Sequence, residues 1–151
     1  MIIPSHLDKL RRLRALRARL DPLGDFELWY WTTLTAGTNA LNAVLHHAKL
    51  TTDAPIFSTI PGVHVVRQPD GSYARELRGP GDVSHVGWPP IEGEIPADVA
   101  GLMDALHAIE MHRDPCIRGT RAATPGIVAE CEANFARVVG VVAGRFEEVD
   151  A

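Results

Sequence analysis

In the stretch LHAIEMHRDPCIRGTR, His107 and Glu110 stand three residues apart, with His112 just beyond them. On a helix that spacing puts the first two on one face, and the helix end favours an imidazolium at His112. A His-x-x-Glu pair can supply two metal ligands, or a general base with its orienting carboxylate. The plainer alternative is a surface ion pair. A metal set of the bundle type needs a Glu-x-x-His or His-x-x-x-His partner on another helix, and the chain has neither. No metal ligands are therefore assigned, and the cofactor is left open. His46 or His47 completes the set with His107 and Glu110 only if the two helices are adjacent, and His46 is the one assigned to the acid–base role.

A second constellation lies upstream. From Leu28 to Ala48 there is no Asp, Glu, Lys or Arg, yet Asn39, Asn42 and His46 recur at helical spacing and align with Thr35. A helix without a charged face belongs at the centre of a bundle. Its buried amides and imidazole must then find partners, or cost roughly 1–3 kcal/mol each. They either satisfy one another in a core or line a polar pocket, so Asn39 and Asn42 are candidate ligand-binding residues. Arg118 and Arg121, just before the helix start at Thr124, offer an anion site beside free backbone N–H groups, or else hold their loop by pairing with acids. His85 and Trp88, in a Gly/Pro-rich segment, are placed as a lid over a pocket or as an anchor for that loop.

These side chains need positions, and the chain supplies four helical segments. The first has Leu7, Leu10, Leu13, Leu16 and Leu20 among arginines, with Ser5 and Asp8 as a capping box, and ends at DPLGD, where Asp25 can cap the next. The second runs from about Phe26 to about Leu50. Two short β-prone runs around Pro69-Asp70-Gly71 predict a hairpin, followed by a loop too rich in Gly and Pro for regular structure. The third helix starts near Pro96 with Val99, Leu102, Met103, Leu106 and Ile109 on one face, and should stop at Asp114-Pro115. Thr124 caps the fourth, Pro125 fits its first turn, and Val128, Cys131, Phe135, Val138 or Val139, Val142 and Phe146 form its stripe. Ala133, Ala136, Gly140 and Gly144 form a small-residue ridge along it, suited to a closely approaching helix.

The expected fold is mainly α: one domain over residues 1–151, a four-helix bundle-like arrangement with a β-hairpin and a long loop, about residues 55–95, between helices 2 and 3. At 46% hydrophobic and 23% charged residues the composition is that of a globular protein, and a net charge of -4 gives no overall attraction to nucleic acid. The basic residues Lys9, Arg11, Arg12, Arg14, Arg17 and Arg19 crowd the first helix. Cys116 and Cys131 show no CxxC pairing and read as reduced thiols of a cytoplasmic protein. The uncharged stretch is too polar for a membrane span. There is no Gly-x-Ser-x-Gly, phosphate loop, His-Glu-x-x-His or dinucleotide fingerprint.

The resulting expectation is a soluble accessory or small-subunit protein, a homodimer or other homo-oligomer, with a polar internal site for a small anionic ligand. The alternatives are a small enzyme using His46, His107 and Glu110 for acid–base or metal-assisted chemistry, and a nucleic-acid-binding protein working through the basic first helix.

Overall fold

A helix that carries no charge over most of its length can persist only where other elements cover it, and in the computed structural model this one is covered on nearly every side. The structure describes residues 1–54, 63–77 and 81–146; the parts of the expected excursion at 55–62 and 78–80 lie outside them. The elements run α1 (Ile3–Arg17), α2 (Phe26–His47), β1 (Val63–Arg67), β2 (Tyr73–Leu77), α3 (Ala97–Glu110), a short π-helical turn (Arg113–Arg118) and α4 (Pro125–Arg145). The chain is thus mainly helical, with a two-strand antiparallel hairpin between the second and third α-helices, as its periodicities require.

α2 is the central rod. Sixteen of its 22 residues are buried, including Tyr30, Leu34, Ala40, Leu41, Val44 and Leu45. α1, α3 and α4 pack around it, contributing Leu10, then Val99, Leu102, Leu106 and Ile109, then Cys131, Phe135, Val138 and Val142. Each large aliphatic side chain so removed from water is worth about 1.5–3 kcal/mol. At Gly37 the α2 backbone meets α3 closely: a Cβ there would stand 2.5 Å from Leu106 Cδ1. Arg17 ties α1 down, with Nε donating to Thr33 Oγ1 at 2.6 Å, an ion pair to Glu132 at 2.7 Å, and its guanidinium over the Trp29 and Phe135 rings.

Three features at the helix ends differ from expectation. α1 begins before Ser5, at Ile3, so Ser5 and Asp8 form no capping box and Asp8 pairs instead with Arg11 and Arg12. Asp25 makes no side-chain cap on α2 and accepts from the Asp21 amide. The chain does not straighten at Asp114-Pro115 but coils through it as a π-helical turn, in which the Gly119 amide reaches the Asp114 carbonyl at 2.6 Å. Thr124 caps α4 as expected, accepting from the Ile127 amide at 3.2 Å. The hairpin turns at Gly71, whose φ of 85° suits a residue without a Cβ. No helix among the described residues is long and apolar enough to cross a membrane.

Candidate functional site

The polar row of α2 is turned inward, onto the segment that begins at Asp82. Asn42 is 2% exposed and grips the backbone of Val83 from both sides: its Oδ1 accepts from Val83 N at 2.7 Å and its Nδ2 donates to Val83 O at 2.9 Å. One turn earlier, Asn39 Nδ2 donates to Thr35 O, which leaves Oδ1 as the acceptor facing His6 Nδ1 at 2.9 Å. One turn later, His46 Nε2 lies 2.9 Å from Asp82 Oδ1, while its Nδ1 is 2.6 Å from Thr51 Oγ1.

Three donors converge on that single carboxylate oxygen: His46 Nε2, His6 Nε2 at 3.0 Å and the Met1 ammonium at 2.8 Å. The other oxygen, Oδ2, is buried and has no hydrogen-bond partner. Burial pulls the Asp82 carboxyl upward, but hydrogen bonds from His46, His6 and the N-terminal ammonium outweigh it and hold the group well below the usual carboxylate range. With both its nitrogens facing acceptors, His6 is satisfied only as an imidazolium, or with a cation in place of its Nε2 proton. His46 is satisfied as the neutral Nε2–H form, receiving the Thr51 hydroxyl at Nδ1. The side chains of His6, His46 and Asp82 are 3%, 0% and 9% exposed, so no substrate can reach them. Their ligand atoms all lie within 4.8 Å of one another, and among the described residues they form the group able to hold a metal.

Three residues along, the same segment presents a second group. A turn closed by Ser84 N donating to Trp88 O at 2.9 Å carries His85 to the end of α3. Its Nε2 sits 3.2 Å from Glu110 Oε2 and 3.3 Å from Arg113 Nη1, while Arg113 Nη2 pairs with Glu110 Oε1 at 2.9 Å. Arg113 can only donate. With its proton on Nδ1, His85 accepts from Arg113 at Nε2; with its proton on Nε2, it turns that N–H to Glu110 and leaves Nδ1 free to take or return a second proton, so a partner stands ready for either tautomer. Glu110 is only 7% exposed. Beside it the Tyr30 hydroxyl donates to Ile109 O at 2.8 Å and is pushed up by burial and by the Glu110 charge. On the outer side of His85 opens a cavity of about 180 Å³, lined by Leu41, Val86, Gly87 and Met103, with Asp104 and His107 on the polar side.

The candidates from the sequence thus divide. His85 and Glu110 meet, and His107 borders the same cavity. His46 does not join them; it is engaged by Asp82 and Thr51, with Asn39 and Asn42 along the same side of α2. Glu110 pairs with His85 and Arg113, not with His107 three residues before it. Trp88 is 61% exposed and does not line the cavity. Arg118 and Arg121 are exposed, with Arg118 3.5 Å from Asp114, the loop-holding alternative. Sequence reasoning missed His6, Thr51, Asp82 and Arg113. His6 had a signal, since it shares a helix face with Leu10 and both are buried. Asp82 had none: no periodicity crosses the Gly/Pro segment. No protein-family model, curated protein or solved structure matches this chain.

Proposed function

We propose that this helical protein binds a small polar molecule in the cavity between the 84–88 turn and α3, and that His85 exchanges a proton with it. The observation that carries the reading is His85 itself, held between Glu110 and Arg113 on one side and bordering open space on the other. A histidine with a carboxylate and a guanidinium at one nitrogen can serve as acid or base without losing its orientation. This is the acid–base alternative, with His85 in the place first given to His46. At about 180 Å³ the cavity has room for roughly six waters, so the ligand is a molecule of few atoms. The Asp104 carboxylate on the rim, and the absence of Arg118 and Arg121 from the lining, support a neutral or cationic molecule over the small anion first expected.

The test is a histidine side-chain NMR titration of the full chain with small amines, alcohols and amides. Shifts confined to His85, His107 and the Met103 methyl, and absent in His85→Gln, are expected. Shifts elsewhere, or shifts surviving in His85→Gln, contradict the reading.

Self-association remains part of the proposal. Ala133, Ala136, Gly140 and Gly144 are all exposed, and among the described residues nothing lies within 4 Å of a Cβ built on either glycine. Nucleic-acid binding through α1 finds less support, since Arg11 and Arg12 pair with Asp8 and Arg17 is engaged inside the fold.

A further inference from the structure

We propose that His6, His46 and Asp82 bind one divalent transition-metal ion of the zinc class, which fastens α1 and α2 to the segment leading to His85. The site is separate from the cavity and does not depend on what the cavity binds.

The geometry carries the inference in three steps. First, two imidazole nitrogens stand 3.0 and 2.9 Å from one carboxylate oxygen, and the three ligand atoms fall within 4.8 Å of one another. Ligands at 2.0–2.2 Å from a tetrahedral zinc stand about 3.3–3.6 Å apart, so each imidazole–carboxylate distance admits the ion by opening about 0.3–0.7 Å. Second, the outer partners are already those of a metal site. Asn39 Oδ1 faces His6 Nδ1 and Thr51 Oγ1 faces His46 Nδ1, which leaves both Nε2 atoms aimed at the common point. Third, the hydrogen bonding is lopsided without a metal ion. One oxygen of Asp82 receives three donors while Oδ2, on a side chain nine-tenths buried, receives none. An ion held by the two imidazoles satisfies the carboxylate through either or both oxygens.

The proton balance is simple. The ion replaces the Nε2 proton of His6, which leaves to solvent, and His46 moves its one ring proton from Nε2 to Nδ1 and donates it to Thr51 Oγ1. The Met1 ammonium, itself a cation, gives up its contact with Asp82. Two imidazoles and one carboxylate suit zinc, nickel or cobalt and not magnesium or calcium, which take oxygen ligands. Burial of all three side chains makes the role structural.

The experiment is isothermal titration of the chelator-treated full chain with Zn²⁺ alone. One equivalent binding with a Kd below about 1 μM is expected. Asp82→Asn and His6→Gln should each weaken binding by more than Asn39→Ala does, and Asn39→Ala, which removes only an outer partner, by roughly 10- to 100-fold. No stoichiometric binding, or binding unchanged in Asp82→Asn and His6→Gln, overturns the proposal. If those variants do not fold, Co²⁺ added to the unsubstituted chain decides. The strong visible absorption of a four- or five-coordinate ion is expected, and the weak spectrum of the six-coordinate aqua ion is the contrary result.

Discussion

Single residues show how far burial redirects ordinary chemistry. Cys131, at 0% exposure inside the α4 stripe, has its thiol pushed up to about 12 by burial, with the Glu130 charge adding to the effect. Thiolate is the reactive form, so native Cys131 should resist iodoacetamide at pH 8 while the half-buried Cys116 is modified faster. Peptide mapping checks this: equal labelling of both in the folded chain contradicts the packing, and denaturant should abolish the difference. The inward direction of Asn39, Asn42 and His46 was legible because buried polar groups at helical spacing demand partners. The identity of those partners was not. Asp82 and Thr51 lie outside regular elements, where no period points at them, and Arg113 sits in a π-helical turn that the Asp114-Pro115 pair argues against.

Among the elements, the α2–α3 crossing is tightest at Gly37. Alanine there gains up to about 1 kcal/mol of helix propensity but drives a methyl into Leu106, whose side chain is fully buried and cannot swing away. Overpacking of this kind costs about 1–3 kcal/mol, so Gly37→Ala should be destabilising in urea unfolding. In a Leu106→Ala background the same change should become neutral or stabilising, and a stabilising effect in the native background would refute the close approach. The far ends of α3 and α4 are joined by Arg145, which donates to both Asp98 oxygens at 2.7 and 2.8 Å. Those bonds hold the Asp98 carboxyl below its ordinary value of 3.8 against a slight desolvation. A lowered folded value stabilises above that ordinary value and is lost as pH falls through the folded one. Asp98→Asn should therefore cost about 0.2–1 kcal/mol at pH 7, a figure kept small by solvent exposure, and progressively less as pH falls below 3.8 toward 2. Melts at the two pH values measure it. The helices and hairpin were readable from period and turn chemistry. The early start of α1 was not, because Ile2 and Ile3 carry no capping signal.

For the whole molecule, the charge-free α2 dictated a bundle, and the bundle formed around it. What composition left open was where the segment leading into α3 would settle, and its Asp82–His85 stretch settles by hydrogen bonds to α2 and an ion pair with Glu110 of α3. The exposed ridge of α4 predicts a second copy in solution. Light scattering should give a multiple of 16.4 kDa, and Gly140→Arg should return the single-chain mass. A single-chain mass at high concentration removes self-association. The account rests most heavily on the grip of Asn42 on Val83, which places both Asp82 and His85. Native-state hydrogen exchange at the Val83 amide tests it directly. The amide should exchange as slowly as the core of α2, and in Asn42→Leu as fast as exposed Gly93. If Val83 in the unsubstituted chain already exchanges at the Gly93 rate, the segment is not held, and the architecture argued for both clusters is wrong.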